Sequence, residues 1–330
     1  MRHVPRWVDA AHGSVDAGRP ASGSGTLTPM TDQDDALVAA VAGERRHLLA
    51  LAYRMLGTLA DAEEAVQETY VRWYRMAPAD RAAVASPRAW LTRVAGRVCL
   101  DVLGSARARR ERYVGEWLPE PLPGDAPLAG SPAPDPADRV TLDESVGSAL
   151  LVVLEQLTPA ERVAFVLHDV FGTPFAEIAE AVGRTPAATR QLASSARRKV
   201  QAHRALGTPP AELAGVTRAF AAAAAGGDLG ALVALLDPGV ELRSDGGGIV
   251  SAARRPVVGA DHVARFLVGI LAKNPWLRVE PATSVDGPVL AIRDGGGAVR
   301  GVVSLGVAAG AVVDVWIVMN PEKLGAWEGR

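Results

Sequence analysis

Arg184, Arg190, Arg197, Arg198, Lys199 and Arg204 place six basic residues between positions 184 and 204, with no acidic residue among them. Cationic side chains at that density neutralise phosphates. Arg190 and Gln191 carry donors that reach base edges, while Arg197, Arg198 and Lys199 are better placed for the backbone of a nucleic acid. A second cationic stretch, Arg88 to Arg112, holds seven arginines against Asp101 and Glu111 and includes Trp90. Just upstream the polarity reverses, with Asp61, Glu63, Glu64 and Glu68 early on an amphipathic segment whose apolar side is Ala62, Ala65, Val66, Tyr70 and Trp73. An acidic helix beside a basic, Trp-bearing one suits two macromolecular partners of opposite charge. On spacing alone it also suits a capped surface helix, since early carboxylates complement the helix dipole. Further on, "SDGGGIVSAARRPVVG" (244–259) has the outline of a phosphate cradle, but no Lys-Ser/Thr pair follows the glycines and no helix start lies directly behind them.

Helices must position most of these groups. Phe175, Ile178, Ala179 and Val182 form an apolar stripe, Gly183 permits a sharp turn, and Thr185 caps a following helix with Pro186 at its first position. That is a helix-turn-helix, whose second helix enters the major groove; a plain amphipathic helix pair with a basic face is the alternative. Residues 34–116 read as an all-helical module, interrupted at Gly57 and in "MAPADRAAVASPRAW". Residues 117–140 read as an extended linker, and "PEPLPGDAPLAGSPAPDPAD" is so rich in proline and glycine that no packed element is expected there. A second helical block follows at 141–206. From 211 to 330 the alternating runs "GPVLAIRD", "AVRGVVSLGVA" and "AVVDVWIVM" predict an α+β domain with a curved antiparallel sheet. The first 33 residues read as a disordered leader, with Met30 a candidate start.

The composition is 48% apolar and 22% charged with net charge −2, so nucleic-acid binding must come from local patches. A single cysteine, Cys99, excludes an internal disulfide framework and a multi-cysteine metal site. No apolar run is long enough to span a membrane. No cofactor or metal is expected, and a cytoplasmic location is.

"AYRMLGTLADAEEAVQETYVRWYR", "SPRAWLTRVAGRVCLDVLGSARARR" and "LTPAERVAFVLHDVFGTPFAEIAEAVGRTPAATRQLASSARRKV" together resemble regions 2 and 4 of an extracytoplasmic-function sigma factor, in that order and at normal spacing. The resemblance implies a multidomain protein with two all-α domains that is not an enzyme. Its implied partners are the RNA polymerase core, through the β′ clamp and β flap, and promoter DNA. Asp61, Glu64, Gln67, Glu68 and Trp73 would then face the clamp. Arg88, Trp90, Arg93, Arg97, Arg107, Arg109 and Arg110 would recognise and open the −10 element, with Trp90 stacking on a base or packing in the core. Arg184, Thr185, Ala188, Arg190, Gln191, Ser194, Arg197, Arg198 and Lys199 would read the −35 element. Ser195 stands where the family often has another arginine.

"FAAAAAGGDLGALVALLDPGVELRSDGGG" resembles the opening of the SnoaL-like fold of the nuclear-transport-factor-2 superfamily, which adds a conical pocket open to a small-molecule signal. Some members of that superfamily are enzymes with an Asp or His acid–base pair, so the resemblance makes Asp245, Asp261 and His262 candidate acid–base groups; Asp261 is more simply a helix N-terminal residue, and a catalytic pair is the lesser reading. Three motifs are similar to the SigJ-type subgroup with that domain fused: "WLPEP" (Trp117, Leu118, Pro119 and onward), "DGGG" (Asp245, Gly246, Gly247, Gly248) and "NPEKL" (Asn320, Pro321, Lys323, Leu324). The resemblance implies that the C-terminal domain modulates activity in cis, with no separate anti-sigma factor required. Ile249 departs from the usual lysine after the glycines. Two competing readings stand beside this one: a SnoaL-type enzyme anchored by a helix-turn-helix, and a two-component output regulator.

Overall fold

The computed structural model describes residues 41–110, 113–128, 148–203, 205 and 208–329, without the side chains of 106–110 and 148. The expected leader, Met30 as a start, Arg204 and the linker beyond 128 lie outside these residues.

The first bundle is built from α1 (Arg45–Leu56), α2 (Leu59–Arg75) and α4 (Pro87–Arg110), with a one-turn α3 (Pro78–Ala82) inside the loop between them. Helix α1 stops where Gly57 turns left-handed at φ 80°, and α2 starts where the Thr58 side chain accepts from the Asp61 N–H at 3.2 Å. Leu48, Leu51, Trp73, Leu91 and Cys99 fill its core.

The second bundle comprises α5 (Ser148–Leu154), α6 (Pro159–Phe165), α7 (Phe175–Val182) and α8 (Pro186–Gln201), with one π-helical turn at Val166–Val170 after α6. A capping box opens α6: the Glu161 N–H donates to Thr158 Oγ1 and the Thr158 N–H donates to Glu161 Oε2 at 2.9 Å. Gly183, at φ 68°, ends α7, and Thr185 caps α8 through the Ala188 N–H at 3.2 Å with Pro186 leading. The helix-turn-helix stands where its turn chemistry placed it.

The C-terminal domain is α+β, as expected. Helices α9 (Pro210–Ala225), α10 (Leu229–Leu235) and α11 (Ala260–Lys273) pack on a six-stranded sheet of order β2-β1-β6-β5-β4-β3. The strands are β1 (Leu236–Asp245), β2 (Val257–Val258), β3 (Arg278–Ser284), β4 (Gly287–Arg293), β5 (Val299–Ala308) and β6 (Ala311–Val318). Among the described strands, only β1 and β6 pair in parallel. Val312, Val315 and Ile317 of β6 join Phe220, Leu232 and Leu267 in the domain's own core. Val313, Trp316 and Val318 alternate with them on the opposite face, which is buried against Leu118, Ala149 and Val152 from the linker and α5. Burial on both faces explains why "AVVDVWIV" is almost wholly apolar.

That second face corrects one expectation. The first part of the proline-rich linker is packed: Leu118, Leu122, Ala126 and Leu128 are buried. The Val285 N–H donates to the Leu122 carbonyl at 2.9 Å and the Gly124 N–H to the Thr283 carbonyl at 3.0 Å, so Pro123 bridges Ser284 beside edge strand β3. Prolines exclude a helix and a central strand, but an extended segment against a sheet edge needs few N–H donors.

Candidate functional site

On α8 and the turn before it, Arg184, Thr185, Arg190, Gln191, Ser194, Arg198 and Lys199 are exposed and Ala188 and Arg197 are half-buried. Two of these cations are already engaged within the bundle. Arg197 Nε donates to Asp169 Oδ1 at 2.9 Å, and Lys199 Nζ donates to Glu161 Oε2 at 2.8 Å. Ser195 turns inward, donating to Glu161 Oε1 at 2.7 Å. Burial opposes the ionisation of Glu161, but the bonds from Lys199, the Thr158 N–H and Ser195 outweigh it and bring its pKa down to about 2. Glu161 therefore organises the base of α8. Arg184 and Arg198 have no ion-pair partner among the described residues, Arg190 lies over the Phe175 ring, and all three are exposed.

On α2, Glu64 and Gln67 are exposed and Glu68 is half-buried beside Arg72. These three line an open groove of about 540 Å³ with Asp101 and Ser105 of α4. Asp61 is tied to its own helix start, accepting from Thr58 Oγ1 at 2.7 Å. Trp73 corrects the surface assignment: it is 1% exposed and packs edge-on against half-buried Trp90, with ring centroids 5.0 Å apart. Its position on the apolar stripe already carried that signal, because a tryptophan in register with Ala62, Ala65 and Val66 points to the core.

Two cationic residues of α4, Arg93 and Arg97, face the second bundle. Arg93 pairs with Glu180 of α7 at 2.6 Å, and Arg97 donates to the Ala181 carbonyl at 3.4 Å while also lying 3.5 Å from Asp101. Arg88 is held near Glu44 and His47. The approach is close enough that a Cβ on Gly96 would lie 2.9 Å from a methyl of Leu167. The side chains of Arg107, Arg109 and Arg110 lie outside the described residues.

Two seam residues went unread in the sequence. Arg162 is 3% exposed and donates to the Met55 carbonyl of α1 at 3.0 Å and to Glu155 Oε1 at 2.6 Å, locking α6 onto the first bundle. His47 meets the Phe171 ring edge-on at 5.3 Å and lies 3.3 Å from Thr92 Oγ1. Burial, then the Arg88 charge, bring the His47 pKa down to about 4, so folding favours the neutral ring. Its contribution is fully present above the unfolded value of about 6.5 and is lost as pH falls toward 4. His47→Gln is expected to flatten the pH dependence of thermal stability between pH 7 and 4, by about 1 kcal/mol after allowing for solvent screening at this half-buried site. Identical wild-type and variant melting profiles would contradict this.

The three short motifs meet around one buried carboxylate. Asp245, at the end of β1, has no exposed surface. Its Oδ1 accepts from Tyr113 Oη at 2.6 Å and the Gly247 N–H at 2.9 Å, and its Oδ2 accepts from the Leu118 N–H at 3.0 Å and Lys323 Nζ at 2.7 Å. Lys323, 6% exposed, also donates to the Leu118 carbonyl and lies 4.1 Å from the centre of the Trp117 ring. Asn320 donates to Tyr113 Oη at 2.9 Å and caps the short turn at Pro321–Lys323. The glycines have steric reasons. A Cβ on Gly246 would lie 2.2 Å from the Val250 carbonyl oxygen, and one on Gly247 would lie within 2.7 Å of the Asn320 amide. Pro119 and Leu324 are buried, whereas Pro321 and Ile249 are exposed.

From this cluster the linker reaches the first bundle. The Glu120 N–H donates to the Gly57 carbonyl at 2.8 Å, Glu120 Oε2 accepts from the Leu59 N–H at 2.7 Å, and the Glu120 carbonyl accepts from Tyr53 Oη at 2.7 Å. Glu120 thus supplies a second cap at the start of α2, and Trp117 fills the space beside Gly57, where a Cβ would lie 2.7 Å from the indole. Trp327 anchors the far end by donating to the Pro121 carbonyl at 2.7 Å. Tyr113, Tyr53 and Trp327 lie outside the three short motifs; their partners are too distant in sequence for spacing to show.

The candidate acid–base groups are not assembled. Asp245 has its carboxylate saturated, while Asp261 is exposed and pairs with Arg265 one turn along α11 at 2.7 Å. The exposed His262 turns its Nδ1 to the Val258 carbonyl. No group of three or more metal-binding side chains occurs among the described residues, and no described helix is long and apolar enough to cross a membrane.

Comparison with known proteins accords with this architecture. Residues 41–110 match the family model for sigma-70 region 2, and residues 148–200 match that for sigma-70 region 4. The chain is 44% identical over 291 residues to the ECF RNA polymerase sigma factor SigJ of Mycobacterium tuberculosis, covering 84% of this chain and 90% of that protein. It is 39% identical to a probable ECF RNA polymerase sigma factor, SigI, of the same species, covering 88% of this chain and 96% of that one. The crystal structure of M. tuberculosis SigJ superposes with a TM-score of 0.66 at 37% identity, covering 88% of this chain and 98% of that one.

Proposed function

The chain belongs to the extracytoplasmic-function sigma factors, acting in promoter recognition and transcription initiation with RNA polymerase core, and from that premise we propose that its C-terminal domain braces regions 2 and 4 in a closed arrangement. The observation that carries this reading is the buried Asp245–Lys323 pair, which clasps the linker backbone at Leu118 on both its N–H and its carbonyl. Beside it, a single apolar cluster joins Leu118 of the linker, Ala149 and Val152 of region 4, and Trp316 and Trp327 of the C-terminal domain. The brace restrains region 2 through Glu120 and Trp117, and region 4 through α5.

In this arrangement Arg93 and Arg97 face α7, so −10 recognition requires the bundles to part. Parting also frees region 2 for the β′ clamp, through Glu64, Gln67 and Glu68, and region 4 for the β flap. The −35 element is then read by Arg184, Arg190, Gln191, Ser194 and Arg198. An intramolecular domain acts at high effective concentration, so it serves the role that a separate anti-sigma factor serves elsewhere. The protein is accordingly a transcription factor without catalysis of its own, working where core polymerase works, in the cytoplasm. Reconstituted transcription with core polymerase tests the reading: Asp245→Asn is expected to raise promoter-specific transcript at limiting sigma factor. Unchanged output, with the variant folded, would refute the brace.

A further inference from the structure

The C-terminal domain also meets region 2 directly, at a point away from the Asp245–Lys323 pair. The turn between β3 and β4 carries half-buried Asp286, whose Oδ2 lies 3.4 Å from Tyr53 Oη of α1. This turn is fixed on the linker. The Val285 N–H donates to the Leu122 carbonyl at 2.9 Å, the Asp286 N–H to Ser284 Oγ at 3.2 Å, and Ser284 Oγ to the Gly287 carbonyl at 3.0 Å. The turn therefore cannot draw back from Tyr53 without breaking its linker contact.

Acceptors at this joint outnumber its protons. Tyr53 is fully buried, and burial, then the Asp286 charge, raise its pKa, so Oη keeps its single proton. That proton goes to the Glu120 carbonyl at 2.7 Å, an ordinary O–H···O length, whereas the 3.4 Å to Asp286 is too long for one. An ionised Asp286 thus sets a carboxylate against the lone pairs of Oη. A protonated Asp286 supplies the missing donor, and Tyr53 then both donates and accepts. Among the described residues, the charged or titratable groups facing Asp286 are Tyr53 and Arg54 from α1 and, across the phenol, Glu120 from the linker. Burial raises the Asp286 pKa against the pull of Arg54 and of the Tyr53 hydroxyl. Burial also raises that of Glu120, against the Leu59 N–H and Lys323 and with help from Asp61 and Glu63.

We propose that closure takes up a proton from solvent at Asp286, so that acidification seals the C-terminal domain onto region 2 and a rise in pH loosens it. This rests on the brace described above. An aspartate freed to water titrates at about 3.9. Closure raises that value, so the stabilisation is complete below about 4 and is lost as pH rises through the closed-form value.

The test is energy transfer between dyes on cysteines at Ala83 of region 2 and Ala272 of α11, both exposed, in the full chain from pH 5 to 8. Asp286→Asn keeps the shape, offers Tyr53 a donor at every pH and cannot ionise. Its closed-to-open ratio is expected to exceed the wild type's by a factor that grows with pH, at up to about tenfold per pH unit. Asp286→Ala cannot ionise either, and is expected to lose the same pH dependence whatever its degree of closure. Glu120, and His47 with its opposite shift at the other seam, are present in all three proteins, so comparison at each pH isolates Asp286. A wild-type ratio running parallel to those of both variants would overturn the proposal. So would an Asp286→Asn protein more open than the wild type, which would mean that the joint uses the ionised carboxylate. Failure of the brace itself is distinguishable, because Asp245→Asn would then leave the distance unchanged at every pH.

Discussion

Asp245→Asn is expected to open the molecule. The substitution keeps the shape and an oxygen to accept from Tyr113 and the Gly247 N–H, but it removes the charge facing Lys323. A buried ammonium left without its carboxylate costs about 3 kcal/mol. Little of that is recovered from the Leu118 carbonyl and the Trp117 ring, because both are already engaged by Lys323. The linker clasp is the element that loses stability, so the closed-to-open ratio falls by about a hundredfold. Apparent affinity for core polymerase rises by up to the same factor, limited by the fraction already open. The double variant Asp245→Asn/Lys323→Met removes the orphan charge as well and is expected to recover most of the closed population. Recovery distinguishes a charge effect from general unfolding of the C-terminal domain, which the second substitution would only worsen. An unrecovered double variant with a lowered melting temperature would place the effect in folding instead.

Arg162→Met is expected to have an effect of similar size at a different joint. The guanidinium is buried between α6 and the end of α1, and its loss leaves the Met55 carbonyl without that donor and Glu155 without that cation. About 3 kcal/mol is again at stake. Here the C-terminal clasp is intact, so only the direct contact between regions 2 and 4 weakens. Core affinity should rise, as for Asp245→Asn, while protection of the Trp117–Pro121 backbone from hydrogen exchange should persist. Loss of that protection would mean that the joints are one cooperative unit and that the brace has no separate identity.

The helix-turn-helix was readable because its signals are local: Gly183, Thr185 and Pro186 do in the structure what such residues do in any chain. The α+β character of the last third was readable from alternation and turns. Trp73 was misplaced because an aromatic residue on a half-acidic helix fits a partner surface and a core equally well by type, and only its register with Ala62 and Val66 distinguishes them. The proline-rich composition of 117–128 correctly excluded regular structure, but composition cannot reveal that Leu118, Leu122 and Leu128 find a buried surface elsewhere. The motifs around Trp117, Asp245 and Lys323 were each visible, yet their convergence on one carboxylate joins residues as far apart as 113 and 323. Arg162, His47 and Tyr53 carried no local sign of a tertiary role, since what makes each notable is burial beside a partner from another domain.

The central claim is that the C-terminal domain holds regions 2 and 4 together, and the distance between those regions tests it most directly. Dyes on cysteines at Ala83, after α3, and Ala176, on α7, both exposed, would report that separation by energy transfer in the full chain, with Cys99 buried and unlabelled. The wild-type chain should show one short-distance population, Asp245→Asn should add a long-distance population, and Asp245→Asn/Lys323→Met should return most molecules to the short distance. The same short distance in all three proteins would contradict the brace.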